Sequence, residues 1–197
     1  MTALPNRRSV RLRDYDYASP GGYFITICAH DRQPLFTDAA FARVVAAAWT
    51  DIPNHHARVE IDEFVVMPNH VHGILFLGVG DLEQERAQRV APLQRNENRL
   101  DPNALGAIVR AFKARVTRDL RGLFGATILV WQRNYHEHVI RDEDALQRIR
   151  QYIVDNPARW AFDRDNPAAQ PDGVEREFDE WLVGQAPHLA SRVATRS

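Results

Sequence analysis

The stretch that most limits the fold is residues 57 to 77, ARVEIDEFVVMPNHVHGILFL. Val59, Ile61 and Phe64 alternate ahead of Pro68-Asn69, and VHGILFL continues in strand-favouring residues. Such a segment belongs in a sheet. Pro68-Asn69 predicts a break into the two strands of a hairpin, with a single kinked strand as the alternative. Successive side chains on a strand point to opposite faces, so His70 and His72 share one side and Val71 takes the other. Two buried imidazoles need hydrogen-bond partners or a metal, and the pair alone admits either an ion-binding role or ordinary packing. Gly73 leaves space for a substrate or a neighbouring backbone.

The rest of the chain alternates strand and helix signals. YFITICA (23 to 29) reads as a half-buried strand. Thr37 or Asp38 can cap a helix over AAFARVVAAAWTDI, with Phe41, Val44, Val45 and Ala48 at helical spacing and Pro53 closing it. Residues 78 to 102 are polar and aperiodic, which predicts a mobile excursion. NALGAIVRAFKARVTRDLRGL follows as a helix with an apolar stripe of Leu105, Ile108, Val109, Phe112, Val116 and Leu120. ILVWQRNYHEHVI (128 to 140) returns to strand character less cleanly. Asp142 then caps a helix over EDALQRIRQYIVDN, ended by Pro157. With 197 residues and 45% hydrophobic composition the chain fits one domain with room for a tail. The pattern implies an α+β fold, an antiparallel-rich sheet with helices packed on one face.

Charge distribution matters more than the net value of -1. Arg7, Arg8, Arg11 and Arg13 form a basic N-terminal arm within residues 1 to 22, and Arg110, Lys113, Arg115, Arg118 and Arg121 face only Asp119 between residues 110 and 121. DGVEREFDE (172 to 180) is strongly acidic. Local positive faces attract phosphate even on a near-neutral protein. No apolar run of about 18 residues occurs, and the first residues lack a signal-peptide core, so the expectation is a cytoplasmic protein without membrane contact. The single cysteine, Cys28, forms no internal disulfide and is expected to pack as a small core residue.

Two histidines are too few for a firm metal site. Tyr152 and Asn156, at i and i+4, stack on one face of the final helix, and a phenol can act as a nucleophile when a cation stabilises its phenolate or the phosphate it attacks. MPNHVHGIL, the later WQRNYHEHVIRDEDALQRIRQYIVDNPARW and the earlier RRSVRLRDYDYASPGGYFITICAHDRQPLF together resemble the REP-associated tyrosine transposases, within the single-tyrosine HUH transposases. The resemblance covers residues 7 to about 162 and includes the basic helix LGAIVRAFKARVTR.

The resemblance implies an HUH endonuclease fold related to the RRM-like arrangement, with a catalytic domain over 23 to 162. From Asp163 on the chain is acidic and short on apolar periodicity apart from FDEWLV, so residues 163 to 197 are expected to form an acidic, partly disordered tail. It implies His70 and His72 as ligands of Mg2+ or Mn2+, Asn156 as third ligand and Tyr152 as nucleophile. Its substrate would be single-stranded or hairpin DNA from repetitive extragenic palindromes, nicked and rejoined through a 5'-phosphotyrosine. The REP-associated branch is expected to act as a monomer, and insertion-sequence relatives as dimers that exchange the tyrosine helix. His138 matches the pattern as a substrate or structural hydrogen-bonding residue; His136 is expected at the surface, and His55 and His56 in a loop. The basic residues of 7 to 13, with Arg110, Lys113, Arg115 and Arg118, would contact DNA phosphates. Tyr15, Tyr17 and Tyr135 can stack unpaired bases or simply pack. The acidic segment could fold back over the basic face. The rival readings are a non-cleaving DNA-hairpin repressor and a zinc phosphodiesterase or structural zinc protein.

Overall fold

The computed structural model describes residues 19–78, 104–125, 127–170 and 172–185. The basic residues Arg7, Arg8, Arg11 and Arg13, with Tyr15 and Tyr17, lie outside the described residues, as do most of the polar excursion and the chain's last twelve positions.

Four strands form one antiparallel sheet: β1 (Gly21–Cys28), β2 (Val59–Met67), β3 (His70–Leu77) and β4 (His136–Ile140), in the order β2-β3-β1-β4. The hairpin reading holds, because β2 and β3 pair directly across Pro68-Asn69, with an irregularity between Ile61 and Phe64. Of the expected strand over 128 to 140, only β4 pairs regularly, and Trp131 makes one isolated bridge to Ala29.

The helices are α1 (Ala39–Thr50), α2 (Ile52–His55), α3 (Leu105–Phe124), α4 (Glu143–Asp155) and α5 (Gly173–Gly184). Asp38, not Thr37, caps α1 by accepting from the Ala40 amide, and Asp142 caps α4 through the Ala145 amide. Pro53 does not end the helical region; it sits in the first turn of α2, where its missing N–H costs nothing. None of these helices is long and apolar enough to cross a membrane.

The α+β, antiparallel reading holds, and the helical layer extends further than the sequence reading placed it. On one face Tyr23, Ile25, Ile27, Val71 and Leu75 pack against α1 and α3. On the other, Phe24 and Ile74 pack against Leu146, Ile149 and Ile153 of α4 and Phe178 of α5. The cause lies in β1 and β3, the two central strands, which carry apolar residues toward both faces and so require cover on both sides. Gly73 belongs to this packing: a Cβ there would lie 2.2 Å from Cζ2 of Trp49, so the glycine makes room for a core indole on the face opposite the histidines.

The segment assigned by charge to a tail from residue 163 contributes to the same body. Asp163, Asp165, Glu175 and Phe178 are all buried, so packing continues past the boundary at residue 162. A negatively charged sequence signals exposure only when its acids lack partners, and Asp165 has Arg32 at 2.7 Å.

Candidate metal and nucleophile site

The register sets the site. His70 and His72 of β3 face Cys28 and Thr26 of β1 on the side covered by α4, and their ring centroids are 4.3 Å apart. Both are fully buried. His72 Nδ1 lies 2.9 Å from Thr26 Oγ1, and His70 Nδ1 lies 2.8 Å from Asn69 Oδ1. Asn69 fixes the tautomer of His70. Its Nδ2 donates to the carbonyls of Arg32 (3.1 Å) and Asp165 (2.7 Å), so its Oδ1 must accept, and the proton of His70 sits on Nδ1. The lone pair on Nε2 is left free for a ligand role, the arrangement that second partners impose on metal-binding imidazoles.

The carboxylate that joins them is one the sequence reading did not select. Asp163, Asp165 and Asn69 form a linked chain: the Asp165 amide donates to Asp163 Oδ1 at 2.6 Å, while Arg32 and Asn69 hold Asp165. Asp163 Oδ2 is thereby held 3.6 Å from His70 Nε2, and ligand atoms of His70, His72 and Asp163 all lie within 4.8 Å of one another. Asn156, the sequence candidate for third ligand, is buried at the start of the turn that follows α4, and that turn packs against β2.

Four buried polar atoms, His70 Nε2, His72 Nε2, Asp163 Oδ2 and Asn156 Oδ1, have no hydrogen-bond partner among the described residues. Burial draws the pKa of His70 down to about 4 and that of His72 well below the usual imidazole value, and pushes Asp163 up to about 7. His70 and Asp163 are therefore no ion pair near neutrality, and 3.6 Å is too long for a hydrogen bond. Unprotonated imidazole nitrogens and an unsatisfied carboxylate oxygen converging in a dry space are a donor set suited to a divalent cation, which would replace the missing protons.

Tyr152 borders this group. Its ring centroid is 5.4 Å from that of His72 and 6.2 Å from that of Phe24, and it stacks face to face on Phe178 of α5 at 3.7 Å. Its hydroxyl donates to Glu175 Oε1 at 3.1 Å. Burial, and next the Glu175 carboxylate, push the phenol above its ordinary value; burial also raises Glu175. The helix carrying Tyr152 is tethered to the sheet by Arg150, whose Nε and Nη2 reach the two carboxylate oxygens of Asp62 at 3.0 and 2.5 Å beside the β2 irregularity.

The other sequence candidates separate by their partners. Arg115 pairs with Asp51, which also meets His55, and Arg118 lies against Asp119. Arg110 is exposed, and Lys113 Nζ donates to the carbonyls of Gln132 and Asn134, each at 2.8 Å. His138 sits in β4 opposite Phe24, with its ring 6.3 Å from Trp181, and burial lowers it to about 4. His136 lies opposite Thr26 and is half-buried, so it is not the surface residue that was expected.

Asn69, Asp163 and Glu175 were not read as functional. Asn69 looked like turn chemistry. Asp163 and Glu175 fell in an acidic stretch, and Asp172 with Glu175 has the spacing of a helix capping box, which gives Glu175 a local explanation. In the structure Asp172 does cap α5, but the Glu175 side chain turns to Tyr152.

No family model matches the chain. A protein of Haemophilus influenzae known only as an uncharacterised protein is 40% identical over 176 residues, spanning 82% of this chain and 93% of its own length. A second protein of that organism, named as a REP-associated tyrosine transposase, is 28% identical over 149 residues, 75% of this chain and 76% of its own. A solved structure of a REP-associated tyrosine transposase bound to a REP hairpin shares the fold, with a TM-score of 0.52 and 19% identity over 94% of this chain and 90% of the other.

Proposed function

We propose, from the likeness of this chain to REP-associated tyrosine transposases in sequence and fold, that it is a metal-dependent enzyme that nicks and rejoins single-stranded DNA beside hairpin-forming repeats. The observation that carries the reading is the meeting of a phenol, two imidazoles with free Nε2 atoms and a buried carboxylate on one sheet face.

Tyr152 is the nucleophile. Its oxygen attacks the scissile phosphorus, a phosphorus–oxygen bond forms, and the bond to the 3' oxygen breaks. The products are a 5'-phosphotyrosine and a strand ending in a 3'-hydroxyl, whose proton comes from water. The phenolic proton passes to Glu175, the carboxylate already accepting its hydrogen bond; a raised pKa makes that carboxylate a better base than an exposed one. Attack by another 3'-hydroxyl on the phosphotyrosine reverses the step and restores Tyr152. The phosphoester bond energy is conserved, so no nucleotide cofactor is consumed.

His70, His72 and Asp163 would hold the metal, with Asn156 Oδ1 as a fourth donor. A divalent cation there supplies Lewis-acid charge that orients the phosphate and offsets charge on its oxygens. A carboxylate and an amide oxygen beside two imidazoles suit Mg2+ or Mn2+, and the imidazoles favour Mn2+ of the two. Tyr152 reaches His72 within a single chain, which supports action as a monomer.

The test is incubation with end-labelled hairpin DNA carrying single-stranded flanks, with Mn2+, followed by denaturing electrophoresis. A protein–DNA adduct that vanishes in Tyr152→Phe is expected. Tight binding of the hairpin with no adduct under any metal would replace this reading with that of a non-cleaving repressor.

A further inference from the structure

On the sheet face opposite the histidines, α3 and the segment before β4 border a half-open cavity of about 400 Å3 lined by Gly106, Val109, Arg110, Lys113, Arg133, Asn134 and Tyr135. That volume falls in the range of small-ligand sites. The cavity is built from anchored parts. The His30 amide donates to the Val130 carbonyl at 2.9 Å and the Gln132 amide to the Cys28 carbonyl at 3.0 Å, while Lys113 ties down the carbonyls of Gln132 and Asn134. Tyr135 packs against the main core, which makes its ring a fixed wall.

The lining carries three cationic side chains and no acid. Arg110 and Arg133 are exposed and have no ion pair or hydrogen bond among the described residues, in contrast to Arg115, Arg150, Arg159 and Arg164, each matched to a carboxylate. The side-chain amide of Asn134 is likewise exposed and unpartnered among them. Unneutralised guanidinium groups beside an aromatic ring and a free amide make a site for a phosphate joined to a planar polar ring.

We propose that this cavity is a nucleotide subsite, distinct from the metal and nucleophile site, which takes one unpaired nucleotide of the bound DNA strand. Arg110 and Arg133 hold its phosphate, Tyr135 flanks the base, and the Asn134 amide meets the base edge. Position favours a strand over a free nucleotide. Tyr135 immediately precedes His136, which lies opposite Thr26, the residue bonded to His72. Two strand spacings, roughly 10 Å, thus separate the inner end of the cavity from the histidine pair across the sheet. Because β4 is an edge strand, a chain of nucleotides can cross it and occupy both places.

The proposal rests on the DNA-processing reading, and the experiment separates the two. Affinity is measured by fluorescence anisotropy for a blunt hairpin, the same hairpin with a single-stranded extension, and a deoxynucleoside monophosphate. Arg110→Ala with Arg133→Ala is expected to weaken binding of the extended hairpin by about tenfold or more while changing the blunt hairpin far less. Asn134→Ala, which removes no charge, is expected to weaken the extended hairpin alone by a few-fold. Circular dichroism of these surface variants should match the wild type. Equal losses on both hairpins would reduce the cavity to general electrostatic attraction and overturn the proposal, as would no loss on either. Loss confined to the monophosphate would overturn it in favour of a small-molecule site. Selective loss on the extended strand by a protein that never forms a Tyr152 adduct would keep the subsite and remove the cleavage reading.

Discussion

Asn69 sets the tautomer and direction of His70 from one residue away, so its contribution can be measured apart from the ligands themselves. Asn69→Ala removes two donors and the acceptor for His70 Nδ1. The expected outcome is a stability loss of about 1–3 kcal/mol by urea titration, and Mn2+ affinity, read by calorimetry, lower by about 10- to 100-fold. Wild-type affinity in that variant would show that His70 needs no such orientation. Glu175 is a second residue with a distinct signature. Glu175→Gln keeps a hydrogen-bond acceptor for Tyr152 but not a base, so adduct formation should slow by about 100-fold with DNA affinity unchanged; faster adduct formation would instead mean that Glu175 restrains the phenol. The histidine pair was legible in the sequence because a strand's two-residue period needs no tertiary information. Asp163 was not, since its place beside His70 depends on a connection that starts from Arg32 and Asn69, distant in the chain.

At the scale of elements, one ion pair ties the tyrosine helix to the sheet, and one glycine lets the opposite sheet face pack. The Arg150–Asp62 pair joins α4 to the irregular stretch of β2, and the arginine hydrogen bonds hold the Asp62 carboxyl below its usual range. Asp62→Asn should cost about 1 kcal/mol and reduce adduct formation more than DNA binding, since the helix carrying Tyr152 loses its fixed position. Equal losses in both would place the pair outside the positioning of the nucleophile. The glycine is Gly73, which faces Trp49 on the side of the sheet away from the tyrosine helix. Gly73→Ala forces a Cβ into the Trp49 indole, and thermal unfolding should occur at a lower temperature by an amount corresponding to about 1–3 kcal/mol or more. The helices α1, α3 and α4 followed from 3.6-residue spacing, with the starts of α1 and α4 marked by aspartate caps. The segment 128 to 135 did not, because it is held by side-chain and single-bridge contacts that leave no periodic trace.

For the whole molecule, burial of neutral imidazoles makes stability depend on acidity. His138 provides the cleanest probe, standing apart from the candidate metal ligands. Burial and then Arg141 depress its folded pKa to about 4, below the value of 6.5 it has when free. Its contribution is fully present above pH 6.5 and declines as pH falls toward 4, where the unfolded chain binds a proton that the folded one refuses. The urea midpoint of the wild type should therefore fall relative to His138→Gln between pH 7 and pH 4.5; a constant gap would mean that His138 titrates normally in the fold. The protein's periodic features, its hairpin, helix caps, apolar stripes and the shared side of His70 and His72, are written in the chain because each depends on neighbours within a few residues. What only the tertiary structure decided is which acids are buried, which arginines are neutralised and which helix covers the histidines. Those outcomes depend on desolvation and charge pairing between segments more than 80 residues apart, such as Asp62 with Arg150 and Asn69 with Asp165, and no local pattern encodes them.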